Sequence, residues 1–271
     1  MTVEIGPERR LLDLRLAEVW QSRELFFFLT WRDVKVRYKQ AALGVAWAVL
    51  QPIALMVVFS IFLGHLAGIP SDGTPYPVFV LTGLVPWTLF SSSLTSASNS
   101  LVESRHVITK VYFPRLLLPL SASTSYLLDF MISVVVLLVL IWIYGLGFSI
   151  GLIWLPALTL LAFTVAAAFG TLFAAINARF RDVRYALPLL IQAWLFLTPV
   201  AYPASLIPSQ CESLYWLNPM VGVVEGFRWA LLGTGTLNQG ALAISLASCL
   251  GTAILALVVF QRMDRTVADV V

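Results

Sequence analysis

The sequence predicts an all-α membrane protein of six transmembrane helices, and three observations carry that prediction. First, six apolar stretches, residues 43–66, 76–101, 123–146, 152–177, 186–202 and 240–260, contain no Lys or Arg. A span needs about 20 apolar residues, and in hydrocarbon a helix satisfies its own backbone polar groups. Second, 59% of the 271 residues are hydrophobic and 11% charged, an excess that a soluble core of this length cannot hide. Third, the positive charge is one-sided. With both termini cytoplasmic, sixteen of the seventeen Lys and Arg fall on the cytoplasmic side: eight before the first span, three between spans two and three, three between spans four and five, and two in the tail. Arg228 alone falls outside. Basic residues near membrane ends resist translocation, so this asymmetry orients the helices.

Other classes fit less well. The alternation of outer-membrane barrel strands is missing. The first forty residues are too charged for the apolar core of a signal peptide, so the mature chain is expected to begin near Met1. The net charge of +3 is spread over loops, which fits contact with lipid headgroups and not with nucleic acid. No internal repeat is visible, which weakens a transporter built from inverted halves. Cys211 on the outer side and Cys249 within the last span form no disulfide framework and read as structural.

Ahead of the first span, Phe27, Trp31, Val34 and Tyr38 recur at helical spacing, with Arg32, Lys35 and Lys39 as a basic stripe beside them. They predict an amphipathic helix from Ser22 to Gln40 lying in the interface, its rings toward the acyl boundary and its cations toward lipid phosphates. A plain anchor and a functional element are both open on these residues. Asp33 and Arg37, four apart, are placed to pair. In the first span, Gln51 and Pro52 break an apolar run, and a proline there removes a helical hydrogen bond and kinks the chain. In the second, Ser91 to Ser100 replaces large apolar residues with hydroxyls, which predicts close packing on protein or a wet cavity. Asp129 is the one carboxylate inside the spans; it reads as structural, meeting water or a nearby Arg.

The loop Glu103–Pro119 mixes Arg105, His106, Lys110 and Arg115 with Val107, Val111, Tyr112 and Phe113, a composition suited to docking or to a simple interfacial turn. His106 is no metal ligand, because His65 lies at the opposite face. Arg179, Arg181, Asp182 and Arg184 anchor spans four and five. After the short fifth span, Asn218 is placed to cap a helix opened by Pro219 and stopped by Gly233, with Glu225 and Arg228 one turn apart. With Trp216, Phe227 and Trp229, this helix is expected at the outer leaflet or dipping into it.

The chain has no GxxxxGK[ST] loop, and Lys35, Lys39 and Lys110 lack a glycine-rich setting, so ATP is not bound in that way. Metal-ligand clusters, a G-x-S-x-G elbow and paired intramembrane carboxylates are also missing, and no catalysis by the chain itself is expected. Energy for any active transport must then come from a gradient or another polypeptide.

Five runs, in order, bear a family resemblance: LFFFLTWRDVKVRYKQAALGVAWAVLQP at 25–52, ITKVYFPRLLLPL at 108–120, RFRDVRYALPLLIQAWLFLTPVAYP at 179–203, LNPMVGVVEGFRWALLG at 217–233 and FQRMDRTVADVV at 260–271. Together they resemble the ABC-2 (type V) exporter permeases that move O-antigen, capsule or teichoic acid polysaccharides across the bacterial cytoplasmic (inner) membrane. The resemblance implies a half-transporter. Two copies pair with two copies of a separate nucleotide-binding subunit that carries ATP and Mg, and the cargo is a lipid-linked glycan. Residues 1–42 become a cytoplasmic segment with an interface helix using Phe27, Trp31, Arg32, Lys35 and Tyr38. Residues 43–260 form the transmembrane domain and 261–271 a cytoplasmic tail. The resemblance also makes Val107, Lys110, Val111, Tyr112, Phe113 and Arg115 the coupling helix on the ATPase, and 204–233 short re-entrant helices. Spans one and five line the path, with Trp47, Gln51, Phe59, Trp194, Phe196 and Tyr202 as candidates. Aromatic faces and sparse polar groups suit sliding sugar rings. An ABC-2 exporter of a drug or small lipid, and a passive channel or scaffold without an ATPase, are the alternative readings.

Overall fold

The computed structural model describes residues 16–39, 46–147, 149–180, 182–208, 210, 212–233 and 239–270. Arg181, Cys211, the first fifteen residues and the start of the first expected span at 43–45 lie outside the described residues. The described residues hold no strand. Two N-terminal helices, α1 (Leu16–Gln21) and α2 (Arg23–Lys39), precede α3 (Ala46–Phe59), which continues as a π-helical stretch, Ser60–Leu66. Then come α4 (Tyr76–Glu103), α5 (Arg105–Ile108), α6 (Leu117–Thr124), α7 (Leu127–Ile143) and, after a 3-10 turn at Ile150–Trp154, α8 (Leu155–Arg179). The last elements are α9 (Val183–Phe196), a 3-10 turn at Ala204–Leu206, α10 (Glu212–Trp216), α11 (Pro219–Leu232) and α12 (Gln239–Val270).

Five of these stretches are long and apolar enough to cross a membrane: Ala46–Leu66, Tyr76–Glu103, Leu117–Ile143, Ile150–Arg179 and Leu242–Met263. The expected fifth span, 186–202, is shorter than that. Its helix stops at Phe196, and residues 197–202 turn instead, so α9 is a 14-residue apolar helix. α12 runs through 260 to Val270 without a break.

At the centre stands α4, which packs against α3, α6, α7, α8, α9 and α11. Most of its residues are buried, above all the large apolar ones between Val78 and Phe90, and its hydroxyl-rich half lets neighbours come close. Ser93 Oγ donates to the Ser123 carbonyl on α6 (3.2 Å), and Asn177 Nδ2 on α8 donates to the Ser98 carbonyl (2.9 Å). Gly170 on α8 faces Ala97 so tightly that an added Cβ would lie 2.6 Å from the alanine methyl. This is the small-residue packing that the serine run predicts. The main core gathers α4, α7, α8 and α11. A second cluster joins Leu29 of α2, Leu101, Phe113, Leu117, Ala174 and Phe260 at the end where the loops are basic.

α11 packs into the bundle rather than lying free on its surface. Eleven of its fourteen residues are buried, including Met220, Val224 and Phe227, and it packs on α4, α8 and α12. Its ends are as expected: Asn218 Oδ1 accepts from the Met220 N–H at 3.0 Å, and Gly233 closes the helix in the left-handed region at φ 65°.

Candidate functional site

The candidate residues fall into three places. The first is the surface at the basic end. α5 is one helical turn followed by an exposed loop, and here the expected docking residues divide. Val107, Lys110, Val111 and Tyr112 are exposed, Tyr112 at 81%. Phe113 is not a surface aromatic; it is 8% exposed and packs with Leu117 and Phe260, so its role is to hold the loop to the bundle. Arg115 is half-buried beside it. Val107 reaches further than its neighbours. It lines a groove of about 420 Å³ together with Asp33 and Val36 of α2 and Ser96 and Ser100 of α4, placing the loop and the N-terminal helix on one shared surface.

α2 itself shows its rings outward at one end: Phe27 is 69% exposed and Trp31 47%, with the Lys35 ammonium 5.5 Å above the Trp31 ring. Arg32 is half-buried, and Leu29 and Val34 pack inward. The expected Asp33–Arg37 pair does not form. Asp33 pairs with Arg32 at 2.8 Å, and Arg37 turns into the bundle to pair with Asp129 of α7. Asp33 and Asp129 are equally buried, so the reason is the additional partners: beside α7 the Arg37 guanidinium also donates to Ser125 Oγ (2.7 Å) and lies 3.6 Å from the Tyr126 ring. Asp129 thus meets the nearby Arg that its position suggested.

The second place is a cavity of about 350 Å³ next to this ion pair. It is lined by Tyr38 of α2, Trp47 and Gln51 of α3, Ser92 of α4 and Asp129 of α7. Three sequence candidates, Tyr38, Trp47 and Gln51, therefore meet in one space. Phe59 does not join them; it packs on the core further along the first span.

The third lies at the opposite end, where α9 gives way to the 197–202 turn. Trp194 is packed edge-on against Phe90 and Phe169, each 4.9 Å away, and its Nε1 donates to Asn218 Oδ1 at 3.0 Å. Asn218 also donates to Thr198 Oγ1 (2.9 Å), so one cap side chain binds α11 to the end of α9. Phe196 is exposed, and the Tyr202 hydroxyl donates to its carbonyl at 2.8 Å. Tyr215 donates to Tyr202 at 3.5 Å; burial and then this hydrogen bond push its phenol above the ordinary value, so it stays neutral. Trp47 and Gln51 on α3 and Trp194 on α9 are not brought together within one copy, because α3 packs on α4 and α7 and α9 on α4 and α8.

Sequence reasoning noted Arg228 as an exception to the charge rule and missed its setting. The side chain is 3% exposed. It pairs with Glu225 (2.8 Å), donates to the Val200 carbonyl (2.8 Å) and the Tyr202 carbonyl (3.4 Å), and covers the Phe79 ring at 3.8 Å. A lone Arg outside the basic side, one turn from a Glu, was the available signal.

Residues 24–232 match the ABC-2 type transporter family along most of this architecture. The chain belongs to the ABC-2 transporter family. Relatives of this ABC-2 protein include the O-antigen export system permease protein RfbA of Myxococcus xanthus, 33% identical over 78% of the chain and 81% of the relative. An O-antigen export system permease protein RfbA of Klebsiella pneumoniae is 29% identical over 91% of the chain and 95% of its own length. The polysialic acid transport protein KpsM of Escherichia coli is 28% identical over 77% and 81%. Two of these relatives are permease proteins of O-antigen export systems and the third a polysialic acid transport protein, and the ABC-2 family as a whole implies an ATPase partner.

Proposed function

We propose that the chain is the membrane subunit of an ATP-driven exporter that moves a lipid-linked polysaccharide out of the cytoplasm. The observation that carries this reading is the match to an O-antigen export permease along 91% of the chain and 95% of the relative. Two copies of the chain act with two copies of a nucleotide-binding subunit, which holds ATP and Mg. α3 and α9 each bury a single residue within one copy, Pro52 and Leu187, and so leave faces that a second copy can cover. The basic end is cytoplasmic, α9 acts as a short sixth span, and 204–232 are the re-entrant helices.

In this reading Val107, Lys110, Val111, Tyr112 and Arg115 contact the ATPase, with Phe113 as their internal support. Phe27, Trp31, Arg32 and Lys35 seat α2 at the headgroups. Closure of the ATPase moves the loop and α2 together through their shared groove, and α2 pulls on α7 through Arg37. Trp47, Gln51, Phe59, Trp194, Phe196 and Tyr202 contribute to the path, with ring faces for sugars.

The test is co-purification of the tagged chain from native membranes, followed by an ATPase assay. A stoichiometric nucleotide-binding subunit is expected, and an intact permease without any ATPase defeats the reading. In the complex, Tyr112→Ala is expected to lower export about tenfold, the scale of losing one interface aromatic, with unchanged amounts of folded chain. Phe113→Ala should instead cost about 3–5 kcal/mol of stability and deplete the protein.

A further inference from the structure

We propose that α2 is a lid, and that its Arg37, laid on Tyr126, is the seal that divides the groove at the basic end from the cavity deeper in the bundle. The groove of about 420 Å³ and the cavity of about 350 Å³ share two lining residues, Arg37 and Tyr126, and no others. Where two spaces meet at one pair of side chains, that pair is the partition. The wall behind it is polar on both sides. On α4, Thr88 and Ser92 line the cavity and Ser96, Ser100 and Ser104 line the groove, so hydroxyls four residues apart follow one another from one space into the other. Carboxylates flank the guanidinium as well, Asp33 in the groove and Asp129 in the cavity. Polar, roomy walls of this kind hold water. With Arg37 withdrawn, the two spaces become one wet passage from the basic end into the bundle.

Arg37 is held shut by Asp129, by Ser125 Oγ at 2.7 Å and by the Tyr126 ring at 3.6 Å. All three partners lie on α7 or at the joint between α6 and α7, so the closed state depends on where α2 sits. That helix is lightly held. Of its seventeen residues it buries Leu29 and Val34 alone, and it packs chiefly on α6. Elements with few buried apolar contacts are the ones that open at low cost. The ion pair does not forbid the motion, because the Arg37 and Asp129 side chains are already 26% and 23% exposed. On separation both reach water, and neither is stranded as a buried charge. What drives the lid rests on the export reading: Val107 of α5 lines the groove with Val36 of α2, which gives an ATPase docked on α5 a route to the lid.

Thiol accessibility tests both parts. In the full chain with Cys211 and Cys249 replaced by Ser, Ser92→Cys reports on the cavity and Ser96→Cys, one turn away, on the groove. A charged, membrane-impermeant methanethiosulfonate is added to inside-out vesicles, where it meets the basic end. Ser96→Cys is expected to react readily and Ser92→Cys slowly. Adding Tyr126→Ala should quicken Ser92→Cys about tenfold, as a minor open state of about a tenth or less becomes the main one, while Ser96→Cys keeps its rate. Tyr126→Phe retains the ring and should retain the seal, a distinction that a purely structural role for Tyr126 does not make at Ser92 alone. Arg37→Ala combined with Asp129→Asn leaves no lone charge and should also open the seal, which keeps the test decisive where Tyr126→Ala does not fold. Equal rates at Ser92→Cys and Ser96→Cys in the otherwise native chain, fast or slow, overturn the seal. So does a Ser92→Cys rate that neither opening variant changes. For the lid, the same vesicles carry the whole export complex, and ATP is expected to raise the Ser92→Cys rate. No rise while ATP is hydrolysed overturns the lid. If no ATPase accompanies the chain, the export reading fails, and the seal is still decided by the comparison of Ser92→Cys with Ser96→Cys.

Discussion

The Arg228 guanidinium ties three pieces of chain to one point: Glu225 on its own helix, the Val200 and Tyr202 carbonyls of the turn after α9, and the Phe79 ring on α4. Breaking such a buried pair costs about 3–5 kcal/mol because the partners stay buried and unpaired. Arg228→Met is therefore expected to destabilise the fold by that order, read as a drop in the thermal midpoint. Adding Glu225→Met should not restore it, since the two carbonyls still lack a donor. Full recovery in the double variant would reduce the site to a simple ion pair. Tyr112 and Phe113 make the complementary point. They are adjacent aromatics in one loop, yet one is 81% exposed and the other 8%. A bent loop has no 3.6-residue period, so nothing local in the sequence says which ring turns inward.

At the scale of elements, the serine-rich half of α4 was legible because hydroxyls and small residues are of no use toward lipid. Its partner was not legible, since Gly170 lies more than seventy residues away and only the folded chain brings it against Ala97. Gly170→Leu is expected to force α4 and α8 apart and deplete the folded protein, and Ala97→Gly should restore part of it by vacating the 2.6 Å contact. Normal expression of Gly170→Leu would mean that the two helices meet elsewhere. The partners of α11 were likewise not legible. Its Trp, Phe, Glu and Arg resemble the mixed faces of an interfacial helix, and amphipathicity reports only that one side is apolar. It does not say what meets that side, and here α4, α8 and α12 cover it.

For the whole molecule, the one-sided Lys and Arg make a topological prediction. In a background with Cys211 and Cys249 replaced by Ser, Ser71→Cys in the exposed turn before α4 should react with an impermeant thiol reagent added outside the cell, and Lys110→Cys should not. The reverse pattern would overturn the orientation. The sequence by itself determined the helical class, the approximate places of the five long spans and the cap and stop of α11, because apolar runs, prolines and capping residues act on their own neighbours. It also carried the family, through motifs that are contiguous in the chain. Only the tertiary structure decided that Arg37 leaves Asp33 for Asp129, that Phe113 is internal, that the fifth apolar run turns after Phe196, and that Tyr38, Trp47 and Gln51 share a cavity while Trp194 stands apart. Each of those depends on which partners the packed bundle brings alongside, and that is a property of the bundle rather than of any one segment.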